Sequence, residues 1–296
     1  MLVFPPAKIN LGLNIISRRP DGFHNIETLF YPIGLCDLLE IVPAAEGRFE
    51  FSTSGLPIPG DPESNLCIRA CQMLSPMIYT KLSSNRQSVL HSPFTEFRTL
   101  DPETGLPPVK IHLHKIIPMG AGLGGGSADG AFTLKLLNEL FDLDLSVEQL
   151  EDYARQLGSD CPFFIEGKPV LACERGDRFF QLNVALPDFS LVLVVPDIHC
   201  NTAAAYAAAE PAWPDQHISD VVRKPVEAWK SELINDFEKP VFQSHPEIEK
   251  VKEKLYDAGA LYASLSGSGS AVYGIFKKTF PLDDRFPGCF IWYSDH

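Results

Sequence analysis

Pro118-Met119-Gly120-Ala121-Gly122-Leu123-Gly124-Gly125-Gly126-Ser127-Ala128-Asp129 is the stretch on which the fold turns. Five of the seven residues from 120 to 126 are glycine. Glycine costs conformational entropy on folding, so a run of this kind needs a reason. Leu123 interrupts the run, and ordered elements flank it, which argues against a flexible linker. A helix beginning directly after such a loop presents free backbone N–H groups and the positive end of its dipole, a ready site for phosphate.

Working outward, Val109-Lys110-Ile111-His112-Leu113-His114-Lys115-Ile116 alternates apolar and polar residues and predicts a half-buried strand before the loop. His112 and His114 read as a polar strand face rather than a metal pair. After the loop, Ala131, Leu134, Leu137 and Phe141 recur at helical spacing. A second helix is predicted from Ser146 to Leu157, with Gln149 at capping-box distance from Ser146 and Gly158 as its stop. Phe163 to Ile165 reads as an apolar strand. Earlier in the chain, strands are predicted over residues 1–17, 26–33, 37–42 and 48–52, and a helix over 66–74 capped by Asn65. Residues 80–108, rich in Ser, Pro, Thr and Asn, read as a surface insertion that could hide a hairpin around Val89 to Phe97. Later elements are a strand over 189–195, a helix after Asn201/Thr202, a helix over 246–258, strands over 262–265 and 271–276 joined by the glycine loop 266–270, and a last strand over 289–293. The change of character around Gly167 to Pro187 marks a domain boundary.

The 296 residues suffice for one large domain or two ordinary ones. Lys plus Arg is 25 and Asp plus Glu is 38, a formal charge of −13. Such a chain repels nucleic acid and anionic membranes, while a local nest of N–H groups can still hold a small anion. No apolar run approaches a membrane span, and Met1 to Asn10 lacks the apolar core of a signal peptide. The seven cysteines include no CxxC pair and no Cys/His cluster with zinc spacing, so they read as reduced thiols of a cytoplasmic protein, with no metal site.

Several phosphate loops can be set aside. Gly120, Gly122 and Gly125 satisfy G-x-G-x-x-G, and Asp142 stands 20 residues beyond Gly122. A dinucleotide site, however, requires that acid at the end of a second parallel strand, and here a helix ends there. No Gly-Lys-Ser/Thr closes a P-loop, and no protein-kinase motifs follow. An ATP loop of another kind is left.

The stretch resembles the phosphate-binding motif of the GHMP small-molecule kinases. Pro6-Ala7-Lys8-Ile9-Asn10-Leu11-Gly12-Leu13 and Ser264-Leu265-Ser266-Gly267-Ser268-Gly269-Ser270-Ala271 resemble that family's other motifs, in order and place. Arg19-Pro20-Asp21-Gly22-Phe23-His24-Asn25-Ile26-Glu27-Thr28-Leu29-Phe30 and Leu157-Gly158-Ser159-Asp160-Cys161-Pro162-Phe163-Phe164 narrow the likeness to the branch that acts on a diphosphocytidyl sugar alcohol in non-mevalonate isoprenoid synthesis. The resemblance implies a two-domain α+β fold. Residues 1–166 would form the ATP-binding domain and 167–296 a smaller C-terminal domain, with the active site in the cleft between them.

It also implies the site. Lys8 and Asp160 would be catalytic. Asn65, Lys115, Pro118, Met119, Gly120, Ala121, Gly122, Leu123, Gly124, Gly125, Gly126, Ser127 and Ala128 would bind ATP, with Asn65 and Lys115 on the adenine side. Phe23 and Tyr206 would stack on the cytosine, His24 would read its edge, and Asn10, Thr202, Gly267, Ser268 and Gly269 would complete the substrate pocket. Mg²⁺ would come with ATP. Taken alone, Lys8 is a surface lysine, Asp160 a cap before Pro162, Asn65 a cap and Phe23 a core aromatic. The motif context favours the functional readings. A mevalonate- or homoserine-type kinase, or a catalytically silent nucleotide-binding regulator, are the alternatives. The assembly expected is a monomer or weak homodimer.

Overall fold

The computed structural model describes residues 1–84, 99–278 and 281–294. Helices and mostly antiparallel sheets make two compact units, an α+β architecture. One unit comprises Met1–Pro6, Cys36–Ile117 and Gly125–Glu166, and the other Ala7–Leu35, Pro118–Gly124 and Gly167–His296. The chain crosses from one to the other after Glu166. The boundary is nevertheless not a single cut, because residues 7–35 and 118–124 group with the later residues. The physical reason is strand pairing. His24–Cys36 pairs antiparallel with Val170–Glu174, Ile26 opposite Glu174 and Phe30 opposite Val170. The region read as a boundary thus holds two strands, Val170–Glu174 and Arg178–Gln181.

In the first unit, four strands run in the order Leu2–Val3, Leu38–Pro43, Val109–Lys115, Glu50–Gly55, the last pair parallel. Val109, Ile111 and Leu113 bury one face, and Ser52, Ser54, His112 and His114 form a hydrogen-bonded chain on the other. Leu66–Ser84 packs along Gly125–Leu140, and Val147–Leu157 packs against both. The Ser146–Gln149 capping box is present in both directions. Phe163–Glu166, expected as a strand, is a short helix. A run of three apolar residues has no period to separate the two, and here the backbone closes i→i+3 turns, Phe164 N to Cys161 O and Ile165 N to Pro162 O.

The ends of the expected 80–108 insertion are structural. Residues 80–84 finish the helix Leu66–Ser84. Asp101 is buried and accepts the Phe49 and Glu103 N–H groups at 2.9 Å each. The hairpin considered for Val89 to Phe97 lies outside the described residues.

In the second unit, one sheet has the order Pro6–Arg18, His24–Cys36, Val170–Glu174, Arg178–Gln181. The other has the order Tyr262–Leu265, Val272–Phe276, Ser190–Val195, Phe290–Tyr293 and is antiparallel throughout. Ile248, Val251 and Leu255 of the helix Pro246–Asp257 join Val192, Val194, Ala263 and Val272 in one apolar core. Pro6–Arg18 is buried on both faces from Ala7 to Ile15. Its odd positions are apolar (Ala7, Ile9, Leu11, Leu13) and its even ones polar or glycine (Lys8, Asn10, Gly12, Asn14). A polar yet buried strand face requires partners for each side chain. No described helix is long and apolar enough to cross a membrane.

Candidate active site

Three motifs that are far apart in the chain meet within the second unit. Lys8 N donates to Leu123 O at 2.9 Å, Ala271 N to Ala121 O at 3.1 Å, and Ser266 Oγ to Gly122 O at 2.9 Å. The approach is so close that a Cβ on Gly122 would stand 2.0 Å from the Ser266 carbonyl oxygen, and Gly122 has φ +79°. Only glycine satisfies both conditions. Ala121 and Leu123 turn their side chains inward, as does Ala128 in the other unit, so what these positions offer a ligand is backbone. Asn235 holds the 264–271 loop from behind, its Nδ2 donating to Leu265 O and Gly267 O at 2.8 and 2.9 Å.

The loop passes directly into the helix Gly125–Leu140, whose first turn presents the unpaired N–H groups that suit phosphate. Lys115, expected on the adenine side, is a buried residue. Its ammonium is wholly buried between Asp37 and Asp129, 2.7 Å from Asp129 Oδ2. It also lies 3.2 Å from where a Cβ of Gly125 would be. Asp37 Oδ1 in turn accepts Ile116 N and Ile117 N at 2.6 and 2.9 Å. Lys115 therefore ties the strand end to the start of the helix from beneath. Burial alone would lower its pKa, and the two carboxylates outweigh that and raise it. Burial, opposed by Lys115 and reinforced by Asp37, pushes the Asp129 carboxyl up to about 7. Asn65 caps its helix through Oδ1, which accepts Cys67 N at 2.9 Å, so a ligand contact would fall to its Nδ2. Asp160 is half-buried in the turn Gly158–Cys161, its Oδ1 3.5 Å from Ser159 Oγ.

On the Pro6–Arg18 strand, Lys8 is 4% exposed and donates through Nζ to Asn10 Oδ1 at 2.7 Å. Asn10 Nδ2 donates to Thr28 Oγ1 at 2.9 Å. Asn10, expected to touch substrate, thus has its amide turned to Lys8 and Thr28 and is itself buried. Phe23 is 56% exposed, with the Arg175 guanidinium 5.2 Å from its ring centroid. His24 and Tyr206 are stacked, centroids 4.8 Å apart and planes at 16°. His24 Nε2 is buried without a hydrogen-bond partner among the described residues, and burial, followed by the charge of Arg18, lowers the imidazole pKa. Thr202 Oγ1 lies 2.7 Å from Ser268 Oγ, which joins those two expected substrate residues.

Asp37, Thr28, Ser266 and Asn235 were not singled out in the sequence. Each is polar and buried, and of the four only Asp37, between Cys36 and Leu38, contrasts with both its neighbours in the chain.

A family model described as GHMP kinases N terminal domain matches residues 94–168, and one described as GHMP kinases C terminal matches 223–283. These define the class, an ATP-dependent small-molecule kinase. A 4-diphosphocytidyl-2-C-methyl-D-erythritol kinase from Parabacteroides distasonis is 45% identical over 294 residues, 99% of this chain and 98% of that one. One from Cytophaga hutchinsonii is 47% identical over 278 residues, 94% of this chain and 93% of the other. A crystal structure of 4-(cytidine 5'-diphospho)-2C-methyl-D-erythritol kinase superposes with a TM-score of 0.76 at 28% identity, covering 99% and 98% of the two chains. A homoserine kinase from Cytophaga hutchinsonii, at TM-score 0.64 and 17% identity over 100% and 94% of the chains, shares the fold. The chain belongs to the 4-diphosphocytidyl-2-C-methyl-D-erythritol kinase family of GHMP kinases.

Proposed function

We propose that this chain transfers the γ-phosphoryl group of ATP to the 2-hydroxyl of 4-diphosphocytidyl-2-C-methyl-D-erythritol, a step toward isoprenoid precursors. The observation that carries the reading is the stitching of Lys8, the 118–124 arm and the 264–271 loop into one locus. The 120–127 loop and the first turn of Gly125–Leu140 hold the phosphates through backbone N–H groups. Mg²⁺ brought with ATP would supply neutralising charge at the phosphates. Half-buried Asp160 is a hard oxygen donor of the kind that ion accepts.

Asp160 accepts or orients the proton of the attacking hydroxyl. The Lys8 ammonium draws in the transferred phosphoryl group. Phe23 offers its ring to the cytosine, on the face away from Arg175. The base meets the His24–Tyr206 pair at its edge, where the unpartnered His24 Nε2 supplies a polar contact. Thr202 and Ser268 bind as one hydroxyl pair. Asn65 reaches the adenine through Nδ2, while Lys115 supports the phosphate helix and leaves adenine to backbone. The protein works in the cytoplasm, as a monomer or weak homodimer.

Asp160→Ala and Lys8→Ala test the catalytic assignment. Each should lower kcat by about 10²–10⁴ while calorimetric ATP affinity stays near that of the parent, because both groups act mainly in the transition state. A near-normal kcat in either variant would contradict it.

A further inference from the structure

Thr28 is fully buried, lies outside the glycine motifs and cannot reach a substrate. Its hydroxyl nevertheless decides where a neighbouring charge points. The single Thr28 hydrogen goes to Gly12 O, 2.6 Å away, an atom that can only accept. The Thr28 oxygen must therefore accept from the Asn10 amide atom 2.9 Å away, which fixes that atom as Nδ2. Oδ1 is then the atom left to face Lys8 Nζ at 2.7 Å, and an ammonium can only donate. Both ends of the relay demand the same amide orientation. The Phe30 ring, 4.8 Å from the ammonium, adds a second constraint from the same strand as Thr28.

We propose that Thr28 is a positioning residue for phosphoryl transfer: it locks the Asn10 amide so that Asn10 Oδ1 holds the Lys8 ammonium at the reacting hydroxyl. This rests on the reading of Lys8 given above. Without the Thr28 acceptor, the buried Asn10 Nδ2 loses its hydrogen bond and the amide is drawn toward other acceptors, which moves Oδ1 away from Lys8 Nζ. Lys8 then loses this hydrogen bond, while the groups assigned to ATP and to the cytosine are untouched.

Thr28→Val keeps the shape and removes the hydroxyl. It should lower kcat about 10- to 100-fold, the scale of a misplacement near 1 Å, and leave both KM values within about 3-fold. Thr28→Ser, which restores the hydroxyl, should recover kcat to within about 3-fold of the parent. In a Lys8→Met background, Thr28→Val should lower the residual rate no further, whereas a merely structural role would still lower it. If Thr28→Val fails to fold, Thr28→Ala removes the same acceptor in a smaller side chain and is read the same way. Parent-like kcat in Thr28→Val beside an impaired Lys8→Met overturns the proposal and leaves the Lys8 reading standing. Parent-like kcat in Lys8→Met overturns the reading on which it rests.

Discussion

Gly122→Ala puts the smallest possible side chain where two loops touch. The added Cβ would stand 2.0 Å from the Ser266 carbonyl oxygen and 3.0 Å from its carbon, both backbone atoms that cannot rotate away. Even the tightest tolerated contact, about 3.0 Å, demands that the loops part by about 1 Å. That movement lengthens the Ser266 Oγ bond to Gly122 O, now 2.9 Å, and shifts the 118–124 arm against Lys8 N. A displacement of this size at a reacting centre costs about 10²-fold, or ~2.7 kcal/mol. The left-handed φ of +79° adds strain of about 1–2 kcal/mol in stability. The assay is steady-state ADP release against ATP concentration, paired with thermal unfolding. Gly105→Ala is the control: φ is +68° and nothing among the described residues lies within 4 Å of its Cβ, so it carries strain without a clash there. Its kcat/KM should match the parent. A Gly122→Ala enzyme within 3-fold of the parent kcat/KM would refute the claim that this contact sets the loop.

Other outcomes follow from the same geometry. Lys115→Met leaves Asp37 and Asp129 buried without their cation and should cost about 3–5 kcal/mol of stability in denaturant unfolding; a loss under 1 kcal/mol would show that the ammonium is not needed there. Asp129→Asn tests the raised carboxyl. The unfolded chain releases that proton near pH 4 and the folded one near 7, so the parent loses this group's stabilisation as pH rises across that window and the variant does not. The Tm difference should therefore move in favour of the variant from pH 4 to 7, and a constant difference contradicts the assignment. Phe23→Ala should weaken the cytidine substrate by about 1–3 kcal/mol in KM and spare the KM for ATP; the reverse pattern would move the base elsewhere.

What could be read from the sequence was whatever is decided locally. The Asn65 cap, the Ser146–Gln149 box and the Asn201 cap are side chain-to-backbone bonds within three residues, and each stands as read. The glycine stretch was legible as a place of exposed backbone suited to phosphate, whereas the close approach of Gly122 to Ser266 was not. The partition into units was not legible, because it depends on pairing Ile26 with Glu174 across the chain, which no local pattern encodes. Lys115 carried a signal that went unused. It falls in register with Val109, Ile111 and Leu113, the buried face of its strand, and a lysine there implies a buried carboxylate partner. Asn10 likewise sits on the polar face of a strand buried on both sides, so its amide was bound to be consumed within the protein.

The most direct test of the central claim is ADP release by the purified protein with ATP and Mg²⁺, offered 4-diphosphocytidyl-2-C-methyl-D-erythritol, mevalonate or homoserine in parallel, with the product examined by ³¹P NMR. The account predicts turnover with the diphosphocytidyl alcohol alone and a new phosphate monoester on its 2-hydroxyl. Equal or faster turnover of mevalonate or homoserine, or none with the diphosphocytidyl alcohol, would contradict it.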